Sequence, residues 1–318
     1  MDKKLKVSLY LLLFGIVAVY VALTKTPRQT SFSTTSVLGE TTNLTLFIEP
    51  DDGRSILLSK IGASDHVYGT VYLLSDQEII TAIASKSSYI MLEKTPFGGN
   101  GLNQKSKAIL GDIVHWSNPT YALTHQKTLI FDNSTVCILN MNLTKSAFEK
   151  NREYNICSDN RDDILDSLNI FNADWNRTSY EPTDENLLVS PNNSRGKLTA
   201  FIKSAKKSLD IEIEVIADPD MINLISDMSK NIPVRLIVPG KKSVNNPNVP
   251  GTTTRYLKSP YPHAKLILVD MEKAYVGSIN LTTQSMDQNR ELGILVAQPN
   301  IIERLNQTFD KDWQSANL

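Results

Sequence analysis

The sequence predicts an α/β fold made from two copies of one supersecondary unit, and three observations lead to this prediction. Short runs of β-branched and other apolar residues alternate with longer runs of helical periodicity. The chain also matches itself without a gap when residues 125–175 are laid against residues 263–313. The 318 residues are 41% hydrophobic and 21% charged, which is the composition of a globular protein. The period is too long for a solenoid, so we expect two packed repeats.

The N-terminus has the pattern of a membrane anchor. Three lysines precede the uncharged apolar run 7–23, and the residues after it do not resemble a cleavage site for signal peptidase. Residues 1–25 are therefore predicted to be an uncleaved signal anchor, followed by a Thr- and Ser-rich tether over 26–42. The lysine bias across the anchor predicts that the rest of the chain lies outside the cytoplasm.

The remaining chain divides into a first repeat over 43–178 and a second repeat over 179–318. Hydrophobic patterning predicts the elements of the second repeat in this order: a helix over 196–208, a strand over 209–216, a helix over 221–229, strands over 234–238, 264–269, 274–278 and 291–296, and a helix from 301. The first repeat follows the same order, and its early strands are predicted over 67–74 and 89–92. Strands that alternate with helices favour a sandwich of helices and sheets, with the repeats related by a pseudo-twofold axis.

Polar residues recur in register within the duplicated stretch. Residues 125–132 read HQKTLIFD and residues 263–270 read HAKLILVD. On a strand, residues two apart share a face, so each motif projects its histidine and its lysine together. The repeated polar residues of the two copies are His125 and His263, Lys127 and Lys265, Asp132 and Asp270, Asn142 and Asn280, and Glu153 and Glu291.

This set suits the cleavage of a phosphate ester. Two histidines can act as a neutral nucleophile and a protonated acid, and paired lysines and asparagines can hold phosphate oxygens. Glu153 and Glu291 each follow a motif histidine by 28 positions, and a carboxylate on the second ring nitrogen would fix the histidine tautomer. Asp132 and Asp270 face away from the histidines by strand alternation, so we expect a salt-bridge or turn role for them.

Charge and cysteine usage narrow the function classes. The chain has 33 basic and 34 acidic side chains, a balance that argues against a protein that coats nucleic acid through a broad basic face. The four histidines and two cysteines lack zinc-site spacing, so we expect neither a metal nor another cofactor. Cys137 and Cys157 form a disulfide if their strands pair outside the cytoplasm, or remain two buried thiols.

The two motifs resemble the paired HKD motifs of the phospholipase D superfamily. The second copy continues into Gly277-Ser278-Ile279-Asn280 and fits the family pattern H-x-K-x4-D-x6-G-S-x-N in full. The resemblance implies a duplicated α-β-α sandwich with one shared active site and a metal-independent reaction through a phosphohistidine. It also implies that His125 is the nucleophile and His263 the leaving-group acid.

The resemblance further implies the phosphate ligands, namely Lys127, Lys265, Asn142, Asn280 and Ser278. One departure is that the first copy has Leu139-Asn140 where the family has Gly-Ser. We expect this change to make the pocket asymmetric and to shape the substrate.

The leading functional prediction is a phospholipase D-type phosphodiesterase that hydrolyses glycerophospholipids or transfers their phosphatidyl group. Its expected partners are a phospholipid membrane and a phospholipid substrate, with no obligate protein partner. The alternative is a metal-independent nuclease of the same superfamily, for which DNA or RNA would be the substrate. Four basic residues near the second motif favour this alternative only weakly: Lys241, Lys242, Arg255 and Lys258.

Overall fold

A computed structural model of the chain describes residues 43–98, 101–240 and 249–317. The two repeats share most of their order of elements; among the described residues, the first has an additional helix and 3-10 turn and the second has an additional short strand. The first repeat contains β1 (Leu44–Glu49), α1 (Ser55–Ala63), β2 (His66–Val71), α2 (Gln77–Ala84), β3 (Ser87–Leu92), α3 (Leu102–Leu110), a 3-10 turn (Gly111–Ile113), β4 (Val114–Trp116), β5 (Lys127–Phe131), β6 (Thr135–Leu139), α4 (Lys145–Glu149), β7 (Asn151–Ser158) and α5 (Arg161–Asn176). The second repeat contains β8 (Leu187–Ser190), α6 (Ser194–Lys203), β9 (Leu209–Ile213), α7 (Pro219–Met228), β10 (Val234–Pro239), β11 (Thr253–Leu257), β12 (Tyr261–Pro262), β13 (Lys265–Val269), β14 (Lys273–Gly277), α8 (Thr283–Asp287), β15 (Glu291–Val296) and α9 (Pro299–Ser315).

The two sheets have the same topology. The first has the strand order β1-β7-β6-β5-β2-β3-β4, and the second has the corresponding order β8-β15-β14-β13-β9-β10-β11. In the first sheet β2, β3 and β4 pair in parallel, as do β9, β10 and β11 in the second, whereas β5-β6-β7 and β13-β14-β15 pair antiparallel. The short strand β12 of the second repeat pairs with β7 of the first, so the chain crosses between the sheets beside the second motif. The predicted duplicated α/β fold is confirmed.

The core has three parts that define the layers. One apolar cluster lies beneath helices α1 and α2 of the first repeat, and a second lies beneath α6 and α7 of the second repeat. The third is shared, because it contains residues from the facing sides of both sheets and from helices α5 and α9. Each sheet is therefore apolar on both faces, and the facing surfaces pack the two repeats together.

The structure adds strands that the sequence patterning did not predict. Strands β1, β4, β8 and β11 flank the predicted strands in the two sheets. The strand predicted over 209–216 ends at Ile213, and the chain then leaves the sheet at Glu214. Because the strand ends early, Glu214 lies just past its end, beside the second motif.

The strands that follow the first motif carry a disulfide. Cys137 on β6 lies directly opposite Cys157 on the antiparallel neighbour β7, and their sulfur atoms are bonded. Of the two alternatives that the sequence left open, the structure has the disulfide.

The predicted anchor over 1–25 and tether over 26–42 lie outside the described residues. Within the described ranges, no helix combines the length and the apolar character needed to cross a membrane.

Candidate active site

Each motif histidine lies immediately before a central strand and binds a glutamate from the opposite repeat. His125 Nδ1 is 2.8 Å from Glu291 Oε2, and His263 Nδ1 is 2.8 Å from Glu153 Oε2. The two glutamates are completely buried and the histidine side chains are about one-tenth exposed. Because the partners are exchanged reciprocally, as a twofold relation requires, the two repeats build a single site.

Backbone hydrogen bonds between the repeats bring about this exchange. The His125 and Gln126 amides both donate to the carbonyl oxygen of Arg290, the residue before Glu291. Tyr261, two residues before His263, pairs with Asn151 at the start of β7, two residues before Glu153. The start of each motif therefore runs beside the segment of the other repeat that carries the glutamate.

An asparagine two residues before each glutamate holds the second carboxylate oxygen. Asn289 donates its side-chain amide to Glu291 Oε1 at 3.1 Å, and Asn151 donates to Glu153 Oε1 at 3.0 Å. Each glutamate thus has one oxygen fixed by an amide and the other bound to imidazole Nδ1. A carboxylate at Nδ1 favours the tautomer with the proton on Nδ1, which leaves Nε2 for chemistry. The sequence match covered both asparagines, but their spacing alone did not assign them this role.

The two motif lysines are buried beside the histidines. Lys127 Nζ donates to the His125 carbonyl oxygen at 2.6 Å, and Lys265 Nζ donates to the His263 carbonyl oxygen at 2.8 Å. Burial, assisted by the positive charge of Lys265 and opposed by Glu291, lowers the pKa of Lys127 to about 7. An anionic substrate would stabilise the charged forms of these two lysines, because both ammonium groups are held out of water in one site.

Burial also governs the ionisation of the first histidine. It lowers the pKa of His125 to about 4, with Lys127 and Lys265 acting in the same direction and Glu291 opposing them. Burial alone would raise the pKa of Glu291, but the neighbouring His125 and Lys127 lower it below its usual value. These surroundings therefore favour a neutral imidazole at His125 beside an ionised carboxylate.

The predicted asparagine ligands lie past the strands that follow the motif strands. Asn142 follows β6 and Asn280 follows β14, and neither side-chain oxygen has a hydrogen-bond partner among the described residues. Ser278 lies further inside: it is fully buried, and its hydroxyl exchanges hydrogen bonds with the backbone of Leu292.

The motif aspartates lie at the far end of the motif strands. The Asp132 carboxylate accepts hydrogen bonds from the backbone amides of Asp65 and His66. The Asp270 carboxylate accepts hydrogen bonds from three consecutive amides, those of Lys206, Lys207 and Ser208. Both aspartates have positive φ angles in the hairpin turn, so their contacts hold the turn and the start of the neighbouring strand.

The expectation that Leu139-Asn140 shapes the pocket is wrong. Leu139 is completely buried in the core of the first repeat, and Asn140 is also completely buried. The Asn140 side chain donates to the carbonyl oxygens of His263 and Gly277 at 3.3 and 3.0 Å. This change therefore ties the first repeat to the backbone that carries the second motif and does not line the pocket.

Two further residues contact the site, and sequence reasoning missed both. Val71 pairs with Lys127 and Ile213 pairs with Lys265, so the residues that follow them, Tyr72 and Glu214, occupy equivalent positions. The Tyr72 ring meets the His125 ring edge-on at 4.7 Å and lies 5.0 Å from Lys127 Nζ. Glu214 Oε2 is 2.9 Å from Lys265 Nζ and 3.5 Å from His263 Nε2. An alignment of the two repeats upstream of the motifs, where the match needs small gaps, could have identified Tyr72 and Glu214 as equivalent positions.

The rim of the site is aromatic where the structure describes it. The Phe97 side chain is 94% exposed, and its backbone amide donates to the Tyr72 hydroxyl. Tyr261 is 41% exposed, and its hydroxyl is 3.5 Å from Glu214 Oε1.

Of the basic residues considered for a nucleic-acid groove, Lys241 and Lys242 lie outside the described residues. Arg255 stacks on Trp313 and donates to its carbonyl oxygen.

Among the described residues, no group of three or more histidine, cysteine, aspartate or glutamate side chains is arranged to hold a metal ion.

Comparison with known proteins gives relatives for both the sequence and the fold. Cardiolipin synthase 1 of Staphylococcus epidermidis is 23% identical over 195 residues, which cover 49% of this chain and 39% of that protein. Mitochondrial cardiolipin hydrolase of Chlamydomonas reinhardtii is 25% identical over 128 residues, which cover 38% of this chain and 57% of that protein. The chain thus spans about two-fifths to three-fifths of the length of these relatives.

Solved structures share the fold over most of the chain. Phosphatidylserine synthase of Haemophilus influenzae superposes with a TM-score of 0.65 at 13% identity, covering 86% of this chain and 87% of that one. Polyphosphate kinase of Porphyromonas gingivalis superposes with a TM-score of 0.68 at 14% identity, covering 84% of this chain and 50% of that one. At these identities the likeness concerns the fold alone.

The family assignment comes from a sequence match that spans both repeats. The family described as "Cardiolipin synthase, PLD-like domain" matches residues 99–175 and 198–313, more than half of the chain. These segments contain both HKD motifs together with both glutamates of the site. The chain belongs to the cardiolipin synthase-type PLD-like domain family, within the phospholipase D superfamily.

Proposed function

We propose that the protein is a phospholipase D-type phosphodiesterase that acts on glycerophospholipids through a covalent phosphohistidine. One observation carries this proposal: two imidazoles, each bound at Nδ1 to a buried carboxylate of the opposite repeat, lie beside two buried lysines. Such a pair can divide nucleophilic attack and leaving-group protonation between its members. The lysines provide positive charge for the non-bridging phosphate oxygens.

In the first step, the neutral His125 Nε2 attacks phosphorus, and the bond between phosphorus and the leaving-group oxygen breaks. That oxygen takes the Nε2 proton of His263, so an alcohol leaves and the phosphoryl group stays on His125. In the second step, the now neutral His263 removes a proton from water or an alcohol, which attacks phosphorus and releases His125. Asn142 and Asn280 complete the proposed set of phosphate ligands, with their side-chain amide groups donating to the phosphate oxygens.

A lipid substrate is supported from two directions. The two sequence relatives compared above are a synthase and a hydrolase of cardiolipin by name. The exposed Phe97 beside Tyr72 would be favourable at a lipid surface, where aromatic and apolar side chains insert between headgroups. The nuclease alternative has weaker support, because Arg255 is already held by Trp313, which leaves the exposed Lys258 among the described members of the four basic residues.

A parallel substrate test distinguishes these candidates. The full chain in detergent would be offered mixed phospholipid vesicles and a single-stranded oligonucleotide, with EDTA present and products identified by mass spectrometry. We expect phosphatidic acid with water alone, and a phosphatidyl alcohol when glycerol is added, with no loss of rate in EDTA. Shortened oligonucleotide with intact lipid would instead establish the nuclease. Lipid turnover that stops in EDTA would contradict the metal-independent mechanism.

We also propose that an N-terminal anchor holds the enzyme at a membrane with the site outside the cytoplasm. The charge-free apolar run over 7–23 supports the anchor, and the Cys137–Cys157 disulfide supports the compartment, because disulfides persist mainly outside the cytoplasm. In intact cells, external protease is expected to digest the folded part of the chain. Thiol alkylation without a reductant is expected to leave both cysteines unlabelled. Protection from protease, or full labelling, would contradict this proposal.

A further inference from the structure

The two halves of the site differ at one pair of equivalent positions, and that difference is electrostatic. His125 and His263 have the same lysine and the same glutamate arrangement, but Tyr72 stands beside the first histidine where Glu214 stands beside the second. Glu214 Oε2 lies 3.5 Å from His263 Nε2, the nitrogen that faces the chemistry. His263 is therefore placed between two carboxylates, Glu153 at Nδ1 and Glu214 at Nε2, whereas His125 contacts one carboxylate among the described residues, Glu291 at Nδ1.

We propose that Glu214 sets the division of labour between the two histidines: its carboxylate at Nε2 keeps His263 protonated as the leaving-group acid, and His125, which contacts no carboxylate through Nε2 among the described residues, remains the neutral nucleophile. Glu214 is a positioning residue in this role, because it acts through His263. The inference rests on the proposed function for its catalytic meaning. The protonation pattern itself can be measured without any substrate.

The charges around each histidine support this assignment. His263 faces Glu153 from β7, Glu214 from the end of β9, Lys265 from β13 and the Tyr261 hydroxyl near Glu214. Lys265 partly offsets this negative charge, since its Nζ donates to Glu214 and to the His263 carbonyl oxygen. The positive charges of His263 and Lys265 outweigh burial and hold the pKa of Glu214 well below its usual range. The carboxylate is thus ionised at any pH where the enzyme would work.

The surroundings of His125 act in the opposite sense. It faces Glu291 from β15, Lys127 from β5 and the neutral Tyr72 ring, and from the second repeat it faces Lys265 and, through its charge alone, Glu214. Burial and the two lysines outweigh the single carboxylate and lower the pKa of His125 to about 4. A repeat-symmetric site would leave the choice of nucleophile undetermined, and the Tyr72/Glu214 difference removes that symmetry.

The test is a direct measurement of both histidine protonation states. The full chain, labelled with ¹⁵N-histidine and held in detergent, would be titrated by NMR in the native form and as Glu214→Gln. We expect His263 to keep its proton to higher pH than His125 in the native chain. Because a nearby opposite charge favours the charged form, we expect the His263 midpoint to fall in Glu214→Gln. The His125 midpoint should change far less.

Two control variants separate this effect from general ones. Glu272→Gln removes the same charge from an exposed pair with Lys207 and should leave both midpoints in place. Tyr72→Phe alters the equivalent position in the first repeat without changing charge and should also leave the His263 midpoint in place. A His263 midpoint that does not move in Glu214→Gln would overturn the proposal. So would a native chain in which His125 holds its proton to higher pH than His263.

A second measurement connects the protonation pattern to chemistry. After rapid quenching during lipid turnover, peptide mapping should find the phosphoryl group on His125 in the native chain. In Glu214→Gln, a measurable fraction should move to His263, because the two imidazoles become more alike. If no phosphohistidine forms in either protein, the proposed function fails, and the NMR result still decides the role of Glu214. Label that stays entirely on His125 in the variant would count against the proposed division of labour.

Discussion

Replacement of His125 by alanine is expected to abolish phosphodiester turnover, with kcat reduced by at least about 10⁴-fold. The variant lacks the nitrogen that forms the covalent bond to phosphorus. The other imidazole of the site, His263, cannot replace it readily, because the Glu214 carboxylate lies 3.5 Å from its Nε2. The rate would be measured as phosphatidic acid released from vesicles by the full chain in detergent. Folding would be checked through the thermal unfolding midpoint, which is expected to fall because the buried Glu291 carboxylate loses its imidazole partner, so the rate would be measured well below that midpoint.

Replacement of His263 by alanine is expected to give a different pattern. With a natural lipid, the loss of leaving-group protonation should lower kcat by about 10²–10⁴-fold. With a p-nitrophenyl phosphodiester, whose leaving group needs no proton, His125 should still be phosphorylated, because its carboxylate partner Glu291 is untouched. The phosphohistidine should then accumulate, since the base for the second step is missing.

The matched control for both variants is His66→Ala. His66 is an exposed histidine at the start of β2. The His66→Ala protein should turn over both substrates at the native rate. A His263→Ala protein that releases p-nitrophenol without any burst or trapped phosphohistidine would contradict the proposed roles. Equal trapping on residue 263 in His125→Ala would reverse them.

The duplicated motif could be predicted from the sequence because its residues recur at one fixed offset. His125, Lys127 and Asn142 have the same spacing as His263, Lys265 and Asn280, so no alignment choice was needed. The exchange of glutamates between the repeats could not be predicted in the same way. The spacing from histidine to glutamate is identical within each repeat, and only the packing of the two sheets decides which carboxylate meets which ring.

Residues upstream of the motifs were harder to assign. Tyr72 and Glu214 follow the ends of β2 and β9, where the repeats differ in length and the residues differ in chemistry. The added strands β1 and β8 are short and mostly or fully buried, so they lack the alternation that marks a half-exposed strand. Leu139 and Asn140 were misassigned because a family position does not reveal whether its side chain faces the core, the pocket or the other repeat.

The largest effect on stability is expected from two buried ion pairs that join the repeats. Arg152, one residue before Glu153, binds Asp312 on helix α9 with Nε to Oδ2 at 2.5 Å, and the pair is almost fully buried. Arg290, one residue before Glu291, binds Asp174 on helix α5 with Nε to Oδ2 at 2.9 Å. Each pair therefore ties the last helix of one repeat to the strand that carries the other repeat's glutamate.

Asp312→Ala is expected to lower the free energy of unfolding by about 3–5 kcal/mol, because it leaves the Arg152 guanidinium buried without its bidentate partner. The change would be measured from urea unfolding of the full chain in detergent. The double variant Arg152→Met/Asp312→Leu should recover most of the loss, since it removes both charges and keeps apolar volume. Glu272→Gln, which breaks the exposed pair with Lys207, should leave the unfolding midpoint unchanged. An Asp312→Ala protein as stable as the native chain would mean that the shared apolar core, and not this exchanged pair, holds the two repeats in register.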